Sequence, residues 1–93
     1  MKFYIKHSMT GRLRVHMDMK HMSFKQADIL EYYIKNIETV TSVKVYEKTC
    51  DAVIEFKGDK AQIINELKHF TYSQVAVPED VLNSSGREMN SYY

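Results

Sequence analysis

Side chains that bind metal ions are concentrated in one short segment of the chain, residues 16–22. The segment contains two histidines, three methionines and one aspartate: His16, Met17, Asp18, Met19, His21 and Met22. Thioethers favour soft ions such as Cu(I) or Ag(I), imidazoles suit Cu, Zn, Ni or Fe(II), and carboxylates suit harder ions. These residue types predict a site for a transition-metal ion, but they do not indicate which metal it binds.

The same residues also fit a purely structural role. Met17 is the next inward residue after Val15 in an alternating segment, and Met22 directly precedes a helix N-cap at Ser23. Methionine is a common filler of irregular core space, so both thioethers could be core residues. His16 and His21 would then be exposed polar residues, and the sequence leaves both interpretations open.

A second group of candidate functional residues is the basic row on the strand predicted at residues 12–17. Basic and apolar residues alternate there in the order Arg12, Leu13, Arg14, Val15, His16 and Met17. This alternation is typical of a half-buried strand, and its outward side chains lie about 7 Å apart. Guanidinium groups bind carboxylates and phosphates well, so Arg12 and Arg14 are candidate docking residues. The alternative is a solvated strand face that discourages aggregation.

Two helices are predicted from capping residues and apolar spacing. Ser23 and Gln26 form a capping box, and the apolar stripe that follows consists of Ala27, Leu30, Ile34 and Ile37. The positions between them are expected to face water, namely Lys25, Asp28, Glu31 and Lys35. Asp59 is expected to cap the second helix, whose apolar residues are Ile63, Ile64, Leu67 and Phe70.

Alternating segments before and after these helices predict the strands. Residues 2–7 and 12–17 alternate on either side of Gly11, either as one bent edge region or as two short strands joined by a turn. Further strands are predicted around residues 43–45 and 52–56, with a hairpin between them, and a last short strand at 74–77 is expected to end at Pro78.

The order of these elements predicts the fold. Strand, helix, strand, strand, helix, strand is typical of an α+β fold, the ferredoxin-like β-α-β-β-α-β sandwich with a four-stranded antiparallel sheet and two helices on one face. We expect this domain to span residues 1–78. Residues 79–93 have no hydrophobic period and are interpreted as a flexible polar tail or linker.

Length and composition indicate one small folded domain, and the sequence lacks the motifs of an enzyme. The chain has 93 residues, of which 44% are hydrophobic and 27% charged, and its formal net charge is +1. Residues 1–25 nevertheless hold six basic residues against one acidic residue, a balance suited to an anionic partner. The sequence contains no phosphate loop and no catalytic triad with positional support, so we expect the chain itself to be noncatalytic.

The cysteine count and the hydropathy pattern predict a cytoplasmic location. A lone Cys50 cannot form an internal disulfide or a paired-thiol metal site, which fits a reducing compartment. No apolar run approaches the roughly 18 residues of a membrane span, and the charged start is unlike a secretory signal.

Three motifs carry a resemblance to a known family. GRLRVH at residues 11–16, VTSVKV at 40–45 and DAVIEF at 51–56 resemble the heavy-metal-associated domain. More narrowly, the chain resembles the variant with an HSxxGRxR opening and no CxxC, found at the N terminus of bacterial heavy-metal-transporting P-type ATPases. The resemblance covers about residues 3–77. It implies a regulatory or metal-binding domain on the cytoplasmic face of the cell membrane, which contacts the other cytosolic domains of the pump and reaches the membrane only through it.

The chain departs from the classical family at the metal-binding turn. Classical members bind Cu(I) or Zn(II) through two thiolates there, whereas residues 16–23 of this chain contain no cysteine. Two alternatives therefore stay beside the metal-binding domain of a pump: a thiol-free docking module that uses Arg12 and Arg14, and a free-standing carrier of a metal or of haem. RNA-recognition modules share the fold but need exposed aromatic residues on the central strands, so we expect no nucleic-acid partner.

Overall fold

The sheet and both helices are visible in the computed structural model, which describes residues 1–75 and 77. In chain order the elements are β1 (Phe3–Met9), β2 (Arg12–Met17), α1 (Phe24–Lys35), β3 (Val40–Tyr46), β4 (Asp51–Phe56), α2 (Lys60–His69) and a short 3₁₀-helix (Tyr72–Gln74). The strands form one antiparallel sheet in the order β1-β2-β4-β3. The predicted α+β class and the four-stranded antiparallel sheet with two helices are confirmed, and this arrangement is consistent with a ferredoxin-like fold. The tail predicted at 79–93 lies outside the described residues.

The edge strand beside β2 comes from the N-terminal end of the chain. β1 and β2 are two strands joined by a tight turn, which decides between the two alternatives for residues 2–17. Gly11 in this turn has a φ of +76°, a value that glycine adopts without strain, and its carbonyl oxygen accepts a hydrogen bond from the Phe56 amide at 3.0 Å.

The prediction of a strand at 74–77 is wrong for those of its residues that the structure describes, namely 74, 75 and 77. Gln74 ends the 3₁₀-helix, and Val75 and Val77 belong to no strand. The physical reason is competition for one edge: β1 already supplies the backbone partners of β2 that a C-terminal strand would otherwise provide.

The core lies between one face of the sheet and the two helices. Its fully buried residues come from β2, β4, α1 and α2, and include Leu13, Val15, Met17, Ala52, Ile54, Ala27, Leu30, Ile34, Ile63 and Leu67. The predicted capping box of α1 is confirmed, because the Gln26 amide donates to Ser23 Oγ at 3.0 Å and the Ser23 amide donates to Gln26 Oε1 at 2.9 Å. Neither helix of the described part of the chain is long and apolar enough to cross a membrane.

Two acidic residues of α1 do not face water as predicted. Asp28 is only 8% exposed, and Glu31 Oε2 accepts a hydrogen bond from the Val45 amide at 3.2 Å. Val45 lies on β3 at the edge of the sheet, where amide donors need partners from outside the ladder. Helical periodicity alone does not reveal that this strand edge lies next to the helix.

The second face of the sheet, which we call the open face, lies opposite both helices. Strand register arranges it in three rows that cross the sheet: Tyr4, His16, Asp51 and Tyr46; His7, Arg14, Val53 and Lys44; and Met9, Arg12, Glu55 and Ser42. Lys6 lies on this face with Tyr4, as simple alternation requires, and its Nζ reaches Asp51. The bulge between Ile5 and His7 changes the alternation after Lys6 and so brings His7 and Met9 to the open face as well.

Candidate functional site

A buried carboxylate lies at the centre of the first row of the open face. Asp51, the first residue of β4, is 0% exposed. Its Oδ2 accepts hydrogen bonds from Lys6 Nζ at 3.0 Å and from Arg14 Nε and Nη2 at 3.2 and 3.0 Å. Its Oδ1 lies 2.7 Å from Nδ1 of His16. We call these four residues the carboxylate cluster.

The hydrogen bonds of this cluster keep Asp51 ionised in spite of its burial. Burial raises the pKa of Asp51, but hydrogen bonds from His16, Lys6 and Arg14 outweigh that effect and lower the pKa from 3.8 to about 2. Because an ionised carboxylate only accepts hydrogen bonds, Nδ1 of His16 must be the donor. The Tyr4 ring packs against the imidazole of His16, with 4.9 Å between the ring centroids.

A hollow of about 460 Å³ opens beside the cluster, between β1 and β2. It is lined by Lys6, His7, Met9, Arg12 and Arg14, and we call it the basic hollow. Arg12 is exposed, and no acceptor among residues 1–75 binds its guanidinium. Its cross-strand neighbour Glu55 accepts a hydrogen bond from Ser42 Oγ at 3.0 Å instead.

The open face carries more positive than negative charge. Its basic residues are Lys6, Arg12, Arg14 and Lys44, and its acidic residues are Asp51 and Glu55. The arrangement is therefore suited to binding an anion through charge-assisted hydrogen bonds.

The two predicted docking residues lie on the same face but differ in their partners. Arg14 is bound to Asp51, whereas Arg12 projects into the basic hollow without a bound acceptor in the described part of the chain. Lys6 and Asp51 were not predicted as functional residues from the sequence. Lys6 shares the outward side of β1 with Tyr4, which is a weak signal, and the position of Asp51 depends on the pairing of β2 with β4.

The structure distributes the predicted metal ligands over different surroundings. Met17 and Met22 are 0% and 2% exposed and belong to the hydrophobic core. Met19 packs partly against this core, and its sulfur accepts a hydrogen bond from the Tyr72 hydroxyl at 3.6 Å. Packing thus accounts for all three methionines without a metal.

The remaining predicted ligands are not gathered into one site. His16 belongs to the carboxylate cluster, Asp18 is exposed, and His21 lines a separate hollow of about 400 Å³ together with Met22 and Glu47. Within the described residues, no group of three or more His, Cys, Asp or Glu side chains could hold a metal ion. Binding of a metal ion or of haem by this domain stays a prediction.

In comparisons with known proteins, no family model matches the chain, and no curated protein or solved structure is significantly similar to it. The resemblance to the heavy-metal-associated domain therefore rests on its three motifs. In the structure the first motif provides the turn glycine and both open-face arginines, the second lies in β3 and the third is β4. Membership of that family stays a prediction.

Proposed function

We propose that this domain is a noncatalytic interaction module that docks through its open face onto an acidic segment of a partner protein. The observation that carries the proposal is the exposed guanidinium of Arg12, which has no bound acceptor in the described part of the chain and lies beside two further cations in the basic hollow. Following the motif resemblance, the partner would be another cytosolic domain of a heavy-metal cation-transporting P-type ATPase.

The carboxylate cluster supports docking because it orders cations before a partner arrives. Asp51 holds the side chains of Lys6 and Arg14, which remain 41% and 43% exposed. Side chains that are ordered in the free protein lose less conformational entropy on binding. The hollow therefore presents a preorganised basic surface.

The distribution of aromatic residues favours a protein partner over RNA. RNA-recognition modules stack bases on aromatic side chains of the central strands. Here the central strands are β2 and β4, and the exposed tyrosines of the open face, Tyr4 and Tyr46, lie on the edge strands. Glu55 adds a negative charge to a central strand of the face, which disfavours a nucleic-acid backbone.

Metal sensing through residues 16–22 is supported by residue types and by the motif resemblance, but not by burial. Coordination through Met17 and Met22 would remove both side chains from the core. Emptying a core position of this size costs about 2–5 kcal/mol. We therefore favour docking.

The proposal is tested by binding of fluorescein-labelled poly-L-glutamate to the full chain, followed by fluorescence anisotropy. We expect binding that weakens as salt increases, because exposed charges are screened. Arg12→Glu should reduce the affinity about tenfold, which corresponds to about 1.4 kcal/mol. Lys25→Glu makes the same change from a positive to a negative charge at an exposed position of α1, away from the open face, and should leave the affinity within about twofold.

Equal losses in the two variants would mean that net charge, and not the open face, governs binding, and the docking proposal would be wrong. A parallel titration with Cu(I), Zn(II), Mn(II) and Fe(II) tests the alternative. A metal site tighter than about 10 μM that Met17→Leu abolishes would support ion sensing in place of docking.

A further inference from the structure

We propose that the basic hollow is a subsite for a phosphate monoester, and that the partner segment presents a phosphorylated side chain to it. This inference rests on the docking function proposed above and defines the chemistry of its central contact. The hollow lies on the open face and is distinct from the hollow that His21 and Met22 line.

The charge of the hollow matches a dianion better than a single carboxylate. Three of its lining residues are cations, namely Lys6, Arg12 and Arg14. Asp51 is the one carboxylate bound to them among the described residues, so an excess of two positive charges remains. A phosphate monoester carries a charge of about −1.5 to −2 at pH 7, whereas a carboxylate carries one negative charge.

Hydrogen-bond donors reach the hollow from both β1 and β2, which suits a tetrahedral ligand with three acceptor oxygens. Arg14 uses Nε and Nη2 to bind Asp51, which leaves Nη1 for another acceptor. Arg12 offers its whole guanidinium from the same strand, and its backbone lies about 7 Å from that of Arg14. Lys6 adds an ammonium group from β1. A phosphate between these groups accepts charge-assisted hydrogen bonds from each of them.

The size and the walls of the hollow favour an organic phosphate over the free ion. A volume of about 460 Å³ exceeds the need of one phosphate group and leaves space for the side chain that carries it. Met9, which is 54% exposed, and His7 provide walls that this side chain can contact. Glu55 lies across β2 from the hollow and repels an anion on that side, so the phosphate is directed toward β1.

The first experiment is an NMR titration of the ¹⁵N-labelled full chain with phenyl phosphate and, separately, with benzoate. We expect amide shifts centred on residues 6–14 and at least about tenfold tighter binding of phenyl phosphate, a difference of about 1.4 kcal/mol. Arg12→Gln should weaken phenyl phosphate binding about tenfold. Lys44→Gln removes a cation from the same face outside the hollow and should change the affinity less than about twofold. Equal affinity for the two probes, or equal effects of the two variants, would overturn the phosphate subsite.

The second experiment separates this inference from the docking function. An acidic peptide with one phosphoserine is compared with the same peptide carrying serine, using anisotropy and the full chain. Tighter binding of the phosphorylated form that depends on Arg12 supports the inference. Equal binding of both peptides overturns it and leaves docking intact, whereas no binding of either peptide or of poly-L-glutamate overturns both. Tighter binding of single-stranded oligouridine than of the phosphopeptide overturns the inference in favour of a nucleic-acid ligand.

Discussion

Replacement of Asp51 by asparagine is the most direct test of the carboxylate cluster. The substitution Asp51→Asn keeps the size of the side chain and removes the negative charge that Lys6, Arg14 and His16 share. The expected result is a loss of stability at neutral pH that becomes smaller in acid.

The magnitude follows from the pKa of Asp51, which is lowered from 3.8 to about 2 in the folded chain. One pKa unit corresponds to about 1.4 kcal/mol, so the ionised carboxylate contributes about 2 kcal/mol. The pKa of Asp51 is lower in the folded than in the unfolded chain. The contribution to stability is therefore fully present at pH values well above 3.8, and it is lost as the pH falls from 3.8 toward 2. Lys6 and Arg14 are partly exposed and can be hydrated again, so the loss should stay below the roughly 3–5 kcal/mol of a fully buried pair.

The assay is urea denaturation of the wild type and Asp51→Asn between pH 7 and pH 2. The difference in unfolding free energy should be about 2 kcal/mol at pH 7 and less than about 1 kcal/mol near pH 2. Asp18→Asn is the matched control, because Asp18 is exposed and its carboxylate has no partner among the described residues. A difference for Asp51→Asn that stays constant across this pH range would refute the reasoning.

Three further predictions concern the turns and the core. Gly11→Ala should destabilise the chain by about 1–3 kcal/mol, because φ is +76° and the new Cβ would lie 3.3 Å from the carbonyl oxygen of Phe56. Gly58→Ala should cost less, because φ is +92° but no atom of the described residues lies within 4 Å of the new Cβ, and equal losses of unfolding free energy in urea would contradict the contact at Gly11. In the same assay Met17→Ala should lower the unfolding free energy by about 2–5 kcal/mol, and Met17→Leu should lower it by less than about 1.5 kcal/mol, because leucine nearly fills the same buried space. A larger loss of unfolding free energy for Met17→Leu would argue against a space-filling role. Cys50 is 4% exposed, and burial together with the charge of Asp51 raises the pKa of its thiol. Alkylation of Cys50 by iodoacetamide at pH 8, followed by mass spectrometry, should therefore be no faster than unfolding of the chain. Immediate labelling would show that the thiol is not buried.

The helices and most strands could be predicted from the sequence because their signals are local. The capping box at Ser23 and Gln26 and the alternation of residues 12–17 depend on neighbours a few positions apart. The edge strand could not be assigned in this way. Two segments, residues 2–7 and 74–77, both had strand-like patterns, and the tight turn at Gly11 brings the first of them directly beside β2.

The sequence by itself determined which residues of β2 face outward, because alternation separates Arg12 and Arg14 from Leu13 and Val15. Only the tertiary structure decided what these outward residues do. Pairing of β2 with β4 brings Asp51 next to His16, 35 residues away in the chain, and pairing of β1 with β2 brings Lys6 to Asp51 from 45 residues away.

Tertiary packing also decided where the methionine side chains of residues 16–22 lie. The residue types of Met17 and Met22 suit either a soft metal ion or a hydrophobic core, and their spacing does not distinguish the two. Their burial beneath the helices depends on how the two layers meet. The charge network and the core are both formed by contacts between segments that lie far apart in the chain, so local sequence patterns do not reveal which residues meet in them.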